Sequence, residues 1–96
     1  MHATLKVPSP LRRFTDNQSQ LDFEAVTVNN VLDQLFDRCP EMRAQLMDED
    51  GQLRNFVNIY MDKVDIRERG GLGAPLTHNC ELRIVPAIAG GRYGIA

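Results

Sequence analysis

The sequence predicts an α+β domain in which one main helix packs across one face of a mixed sheet of four or five strands. Three observations support this fold class. Two segments of alternating apolar and polar residues come first, one long segment with helical spacing follows, and two or three alternating segments complete the order. With 96 residues, the chain has the length of one small domain.

Two short strands are predicted near the N-terminus because apolar and polar residues alternate there. The inward-facing residues are Ala3, Leu5 and Val7 in the first strand and Leu21, Phe23 and Ala25 in the second. Pro8 and Pro10 end the first strand, since proline cannot donate to a strand ladder. Asp16 and Asn17 tolerate a positive φ, so they predict a turn in the connection between the strands.

The main helix is predicted from an apolar stripe at helical spacing. The stripe consists of Val28, Val31, Leu32, Leu35, Phe36 and Cys39. Thr27 is the expected N-cap, and Val26 with Val31 occupies the positions of a hydrophobic staple. Pro40 either ends the helix or begins a new helical turn over residues 42–46.

The second half of the chain predicts the remaining strands. The third strand alternates Val57, Ile59 and Met61 with Phe56, Asn58 and Tyr60. A short strand is expected around residues 64–66. A last strand, with Leu82 and Ile84 facing the core, ends at Pro86.

Composition excludes several classes of function. The net charge is −2, so the positive excess that dominates nucleic-acid binding is missing. No apolar run approaches the roughly 20 residues of a membrane span, and the N-terminus lacks the pattern of a secretory signal. We therefore expect a cytoplasmic protein with no nucleic-acid or membrane partner. So short a chain also has little room for a deep pocket, which argues against a self-sufficient enzyme.

The cysteines do not indicate a metal site. Cys39 and Cys80 are far apart in the sequence, and two reduced thiols are the expectation for an intracellular chain. A zinc site needs about four ligands, and His2 and His78 would complete that number only by spatial coincidence. The glycine-rich stretch 70–73 does not join a strand to a helix, so no phosphate-binding loop is expected.

The C-terminal segment has no periodicity and contains the pair Gly90-Gly91. A frayed terminus is the ordinary interpretation of such a segment. The alternative is an extended arm, because glycine lacks Cβ and passes through channels that are closed to other residues. Residues 87–91 could extend about 15 Å at ~3.3 Å per residue. That reach would deliver a C-terminal carboxylate into the narrow active site of another protein.

An ordered series of short motifs runs along residues 1–91. The motifs are Val7-Pro8 with Pro10-Leu11-Arg12 and Phe14-Thr15, then Leu46-Met47-Asp48, Phe56-Val57-Asn58-Ile59-Tyr60, Asp65-Ile66-Arg67, and Ile84-Val85-Pro86-Ala87-Ile88-Ala89-Gly90-Gly91. In these motifs the chain resembles the ubiquitin-like sulfur carriers, the family of the molybdopterin-synthase small subunit and the thiamine sulfur carrier. It most resembles the branch associated with cysteine and thio-metabolite biosynthesis. The resemblance implies a β-grasp domain over residues 1–86, a flexible Gly-Gly arm over residues 87–91 and a removable extension over residues 92–96.

The resemblance also implies a function for the glycine pair. In this family ATP converts the terminal glycine, here Gly91 preceded by Gly90, to an acyl-adenylate. A sulfur donor then displaces AMP, and the resulting thiocarboxylate donates sulfur in the biosynthesis of cysteine, a cofactor or a thio-metabolite. The chain would be a carrier rather than an enzyme, with no bound cofactor or metal, because the partner binds the ATP. The implied partners are a ubiquitin-activating-like adenylating enzyme, a sulfur donor or sulfurtransferase, and a sulfur-accepting biosynthetic enzyme.

The chain departs from the family pattern at two places. The turn before the last strand reads His78-Asn79-Cys80 where the family commonly has Asp-Gly-Asp, but Asn tolerates the left-handed conformation that Gly adopts. A working carrier ends at Gly-Gly, whereas Gly91 here is joined to Arg92. We therefore expect processing at the Gly91–Arg92 bond, and the resemblance implies a zinc-dependent JAB/MPN-type peptidase. The alternative is a homologue that no longer carries sulfur.

Strand parity predicts a partner-binding surface. If the apolar residues of the third strand face the helix, Phe56 and Tyr60 point to the opposite side of the sheet, where Val85 joins them. With Ile88 on the arm, they would form an apolar docking patch. Alternatively, the aromatic side chains only cover a thin sheet. Arginines that could add contacts at the rim are Arg12, Arg13, Arg67 and Arg69.

Two other functions use the same fold. A ubiquitin-like protein modifier would join the activated Gly91 to a lysine amine on a target protein. A non-catalytic β-grasp interaction domain would carry an inert tail. The carrier and the modifier share the adenylate, so the sequence does not separate them.

Overall fold

Five strands form one mixed sheet, and the main helix packs across one of its faces. The computed structural model of the protein describes residues 1–86. The strands are β1 (His2–Lys6), β2 (Gln20–Glu24), β3 (Val57–Met61), β4 (Val64–Asp65) and β5 (Cys80–Pro86), and the helices are α1 (Val28–Arg38) and α2 (Glu41–Leu46). The sheet order is β2-β1-β5-β3-β4, which confirms the predicted α+β class with a mixed sheet.

The last strand lies at the centre of this sheet. β5 pairs in parallel with β1 and antiparallel with β3, while β1 also pairs antiparallel with β2. The register places Leu5 beside Leu82 and Ile59 beside Ile84, so the apolar residues of neighbouring strands share the face towards the helix. β5 is held by β1 as far as Arg83 and by β3 as far as Pro86.

α1 begins and ends at residues that satisfy its free backbone groups. The Asn30 N–H donates to the Thr27 hydroxyl oxygen at 3.2 Å, which confirms Thr27 as the N-cap. At the other end the Cys39 N–H donates to the Leu35 carbonyl. The predicted staple is wrong, because the Val26 side chain is 68% exposed while Val31 is buried.

Pro40 lies at the start of a second helix. Of the two alternatives, an end to the main helix or a new helical turn over residues 42–46, the structure has the new helical turn. Pro40 takes φ −56° and ψ −30°, and α2 follows directly. Within α2, Met42 and Leu46 are buried, whereas Ala44 is exposed. The segment after Pro40 therefore adds to the core as a short helix.

The connection between β1 and β2 has more regular structure than the sequence suggests. A 3₁₀ helix covers Ser9–Phe14 and buries Leu11. Asp16 and Asn17 have φ values of 54° and 64°, which confirms the predicted turn. The buried Thr15 hydroxyl has carbonyl acceptors at 3.1 Å and 2.9 Å within the same connection.

The other strands agree closely with the predicted segments. Val57 to Met61 forms β3, with a hairpin turn through Asp62 and Lys63 at φ 50° and 73°. β4 is shorter than expected because Ile66 begins a 3₁₀ helix over Ile66–Arg69. Asn79 adopts φ 51°, so it does take the left-handed conformation expected for this turn.

The apolar core lies between the sheet and the two helices. Its largest fully buried side chains are Phe23, Leu5, Leu32, Leu35, Met42, Leu46, Ile59, Met61, Ile66, Leu82, Ile84 and Val7. Each such side chain contributes roughly 1.5–3 kcal/mol by leaving water. The core thus fixes the direction of β5, from whose end the C-terminal segment continues.

Candidate functional site

The structure describes the end of the strand that precedes the C-terminal segment. Pro86 is the last residue of β5 and pairs with Val57. The candidate residues Ile88, Gly90, Gly91 and Arg92 lie outside the described residues. The structure therefore defines the end of β5, after which these residues follow, and the protein surfaces around Pro86.

Tyr60 and Val85 lie together on the side of the sheet that faces away from α1. Both are half-buried, and Tyr60 pairs with Arg83 across β3 and β5. They line one shallow depression of about 310 Å³ together with Arg83, Lys63 and Glu81. The structure thus brings two of the predicted patch residues together, and it surrounds them with charged side chains.

Phe56 lies outside that depression. The Val57 N–H donates to the Arg54 carbonyl at 3.0 Å, which closes a turn before β3. Phe56 belongs to this turn rather than to the strand, and its side chain is 46% exposed. Placing Phe56 on the third strand was therefore wrong, although its exposure agrees with a surface role. Since Val57 pairs with Pro86, Phe56 still lies at the end of the sheet where the arm starts.

Arg67 holds this end of β3 in place. Its guanidinium donates to the Val57 carbonyl at 3.3 Å and to the Asn58 side-chain oxygen. Its own N–H donates to the Asp65 carboxylate at 2.9 Å, which caps the 3₁₀ helix that carries it. The sequence predicts Arg67 only as a possible contact at the rim of the docking patch. Residue spacing does not indicate its hydrogen bond to the Val57 carbonyl.

A second depression lies between the ends of β1 and β5, beside the start of the arm. It has a volume of about 380 Å³. Its lining includes Lys6, Arg12, Ser19, Arg83 and Val85. We call this depression the basic notch. Sequence analysis did not single out Lys6, although strand parity places it on the same face as Arg83.

The remaining candidate ligands do not form a site. Cys39 and Cys80 are not joined in a disulfide, and burial raises the pKa of both thiols. No group of three or more His, Cys, Asp or Glu side chains among residues 1–86 could hold a metal ion. Nor does any helix in that part of the chain have the length and apolar character needed to cross a membrane.

Comparison with known proteins connects this geometry to a family. The sequence model of the ThiS family matches residues 5–91. The sulfur carrier protein CysO of Mycobacterium tuberculosis is 33% identical over 93 residues, which cover 95% of this chain and 100% of that protein. A putative sulfur carrier protein of Archaeoglobus fulgidus is 29% identical over 72 residues, which cover 75% of this chain and 82% of that protein.

A solved structure confirms the β-grasp fold. A chain from the crystal structure of the Amycolatopsis orientalis BexX/CysO complex superimposes with a TM-score of 0.84 at 32% identity. The superposition covers 93% of this chain and 99% of that chain. The fold implied by the resemblance is therefore the observed fold.

Proposed function

Because the chain belongs to the ThiS family of ubiquitin-like sulfur carriers, we propose that it carries sulfur as a thiocarboxylate on Gly91. The observation that carries this proposal is the extent of the family match. It runs from residue 5 through the whole described domain and stops at Gly91, the second residue of the glycine pair. The last five residues, 92–96, lie beyond it.

The proposed chemistry has two steps on the Gly91 carboxylate. Its oxygen attacks the α-phosphate of ATP and releases pyrophosphate, which gives an acyl-adenylate. Sulfide from a donor then attacks the carbonyl carbon and releases AMP, which leaves a thiocarboxylate. An adenylating enzyme binds the ATP, so this chain needs no cofactor of its own. Gly90 and Gly91 contribute the absence of side chains, which lets the reacting end enter a narrow site.

Processing has to precede these steps, because Gly91 in the full chain is held in an amide bond to Arg92. A JAB/MPN-type zinc peptidase is the partner class we propose for hydrolysis of that bond. After cleavage, the new carboxylate ends a segment of five residues that follows Pro86, and at ~3.6 Å per residue it can reach at most about 18 Å from Pro86.

We place partner docking on the surfaces around Pro86. Tyr60, Val85 and Phe56 are the exposed or half-exposed apolar side chains of this region, with Ile88 following on the arm. A CysO relative has been crystallised with another protein, BexX, which supports an interacting role for such a domain. The partners would be the adenylating enzyme, the sulfur donor or sulfurtransferase, and a biosynthetic enzyme that accepts the sulfur.

Three forms of the chain test the proposal. The forms 1–91, 1–96 and 1–90 are incubated with ATP, sulfide and an adenylating enzyme from the organism that carries the chain. Mass spectrometry of the C-terminal tryptic peptide, which contains no methionine, then reports sulfur incorporation at the terminal glycine. A thiocarboxylate on the 1–91 form alone supports the proposal. Its formation on 1–96 with Ala96 retained contradicts processing, and its absence from 1–91 contradicts the carrier function.

A protein modifier is the second candidate. The solution structure of small archaeal modifier protein 1 from Methanosarcina acetivorans is 26% identical and superimposes with a TM-score of 0.79. A modifier would transfer the activated Gly91 carbonyl to a lysine amine of a target. Immunoblots of cells with an antibody to this chain separate the two functions, because a modifier produces higher-mass conjugates and a carrier produces none.

A further inference from the structure

On the part of the open face formed by β2, β1 and β5, the charged residues are sorted along the strands. Arg83 has Lys6 as its neighbour on β1. Two residues further from the C-terminal end of β5, Thr4 of β1 pairs with Glu81 of β5 on one side and with Asp22 of β2 on the other. Two residues along a strand correspond to about 6.6 Å. In these three strands, positive side chains therefore lie nearer the C-terminal end of β5, and negative side chains lie two residues further back along the strands.

Arg12 adds a third cation to the positive end. Its Nε donates to the Val7 carbonyl at 3.0 Å, which ties a half-buried guanidinium to the end of β1. With Lys6 and Arg83 it lines the basic notch, which also contains Val85. Because the backbone contact uses only Nε, the two terminal nitrogens of the guanidinium can still donate to a carboxylate.

The notch has more positive charge than its own surroundings neutralise. The Lys6 ammonium donates to the Gln20 amide oxygen at 2.6 Å, and that partner is uncharged. Arg83 contacts Glu81 at 3.2 Å, in a pair whose side chains are 56% and 40% exposed. Among the ion pairs of residues 1–86, neither Lys6 nor Arg12 takes part.

We propose that the basic notch receives a carboxylate from an acidic segment of the adenylating enzyme, which orients this chain for activation. The inference rests on the proposed function. Whichever protein holds the Gly91 carboxylate must lie within about 18 Å of Pro86, which is the next residue after the notch residue Val85. The notch is thus a positive surface that this protein meets while it binds the reacting end.

The overall charge of the chain strengthens the choice of an acidic occupant. The chain has a net charge of −2, so an acidic partner surface is not attracted to it as a whole. Within β2, β1 and β5, the end with Lys6 and Arg83 attracts such a surface, whereas Asp22 and Glu81 repel it. This arrangement of charges therefore favours one orientation of the domain on its partner, in which the end of the sheet with Lys6 and Arg83 faces the partner.

The test uses a double variant of the 1–91 form, Lys6→Gln/Arg83→Gln, with Arg38→Gln/Arg43→Gln as the matched control. The control removes the same amount of charge from the two helices, where Arg38 stacks on Phe23 and Arg43 on Phe36. Pyrophosphate exchange with the adenylating enzyme gives KM and kcat for the carrier. We expect KM of the notch variant to rise at least about tenfold with kcat unchanged, and KM of the control to stay within about twofold.

Two further measurements make the outcome decisive. Arg12→Gln, which leaves both strands intact, should raise KM in the same direction. Salt should raise KM of the unsubstituted 1–91 form more than that of the notch variant, because screening weakens an attraction that the variant has lost. An unchanged KM in both notch variants, or an equal rise in the control, overturns the inference while leaving the carrier function in place. If the unsubstituted 1–91 form is not adenylated, the proposed function fails first, and the inference fails with it.

Discussion

Thr27 is the residue on which the start of α1 depends. Its hydroxyl oxygen accepts the Asn30 N–H at 3.2 Å, and the Asn30 side chain accepts the Val26 N–H at 3.1 Å. Thr27→Ala removes the cap acceptor, so we expect a loss of about 1 kcal/mol in the free energy of unfolding. Urea unfolding followed by circular dichroism measures it. Thr27→Ser, which keeps the hydroxyl, is the control, and equal stability of both variants would disprove the role of the cap.

Asp62 predicts a pH dependence of stability. Its carboxylate accepts from the Thr77 hydroxyl at 2.6 Å and from the Glu81 N–H at 3.0 Å. These hydrogen bonds, with a smaller contribution from the Arg69 charge, hold the pKa of Asp62 below its ordinary value of 3.8. The carboxylate therefore stabilises the folded state above pH 3.8, and this contribution is lost as the pH falls through the lower native pKa.

The Asp62→Asn variant measures this contribution. Asn keeps an acceptor and tolerates the φ of 50° at this position, but it removes the charge. We expect it to lose a few tenths to about 1 kcal/mol at pH 7, since the side chain is exposed. The difference from the unsubstituted chain should shrink between pH 4 and pH 2. A difference that is constant over that range would mean that the charge of Asp62 does not stabilise the fold.

Single residues also show where sequence reasoning succeeds and fails. Asn79 could be predicted because its left-handed conformation is a local property of the residue type. Val26 could not, since its backbone is held by a distant segment. The Leu76 N–H donates to the Val26 carbonyl at 2.9 Å, and Thr27 forms a bridge with Pro75. These contacts fix the chain before α1 with the Val26 side chain in solvent, which no local pattern reports.

At the scale of elements, two consecutive residues of β5 face opposite sides of the sheet, one towards the core and one towards the proposed docking surface. Ile84 is 1% exposed and faces the core, while Val85 faces the open side of the sheet. Ile84→Asp should unfold the domain, because it buries a carboxylate without a partner. Val85→Asp should keep the thermal unfolding midpoint within a few degrees and raise KM for adenylation at least about tenfold.

The two β5 variants are measured in the 1–91 form by circular dichroism and pyrophosphate exchange. Phe56→Ala provides a second test at the same end of the sheet, and we expect it to weaken adenylation with the fold intact. If Val85→Asp and Phe56→Ala both leave KM unchanged, the apolar docking surface is wrong. If Val85→Asp unfolds the chain, the strand parity that places Val85 on the open side is wrong.

Elements were predictable where a period of two or of 3.6 residues continues for several residues. The cores of β1, β2, β3, β5 and α1 follow such patterns, and all five are where the sequence places them. The ends of elements depend on hydrogen bonds to distant residues. Phe56 lies in a turn closed at Arg54, and Arg67 crosses from a 3₁₀ helix to the Val57 carbonyl. Neither contact has a signature in residue spacing.

At the scale of the whole molecule, the fold class followed from the order of elements, but the position of each strand did not. Alternation cannot show that the last strand lies between the first and the third. That arrangement brings Lys6 beside Arg83, and with them Arg12, into one notch. The basic notch is therefore a product of topology, whereas the glycine pair is visible in the sequence alone.

The central claim is that Gly91 is freed and converted to a thiocarboxylate, and one peptide reports both events. Trypsin cuts after Arg83, so a processed chain releases residues 84–91 and an unprocessed chain releases residues 84–92. Replacing oxygen by sulfur adds about 16 Da, nearly the same as methionine oxidation. The two peptides contain no methionine or cysteine, so this added mass can be assigned to Gly91.

Mass spectrometry of that peptide, from the protein isolated from its native cells, is the most direct test. Alkylation at mildly acidic pH before digestion distinguishes the anionic thiocarboxylate from the thiols of Cys39 and Cys80, whose pKa values are raised by burial. The account predicts a peptide of residues 84–91 with sulfur on Gly91 that takes up the alkylating group. A peptide that runs through Arg92 in every sample, or one that ends at Gly91 and never contains sulfur, would contradict it.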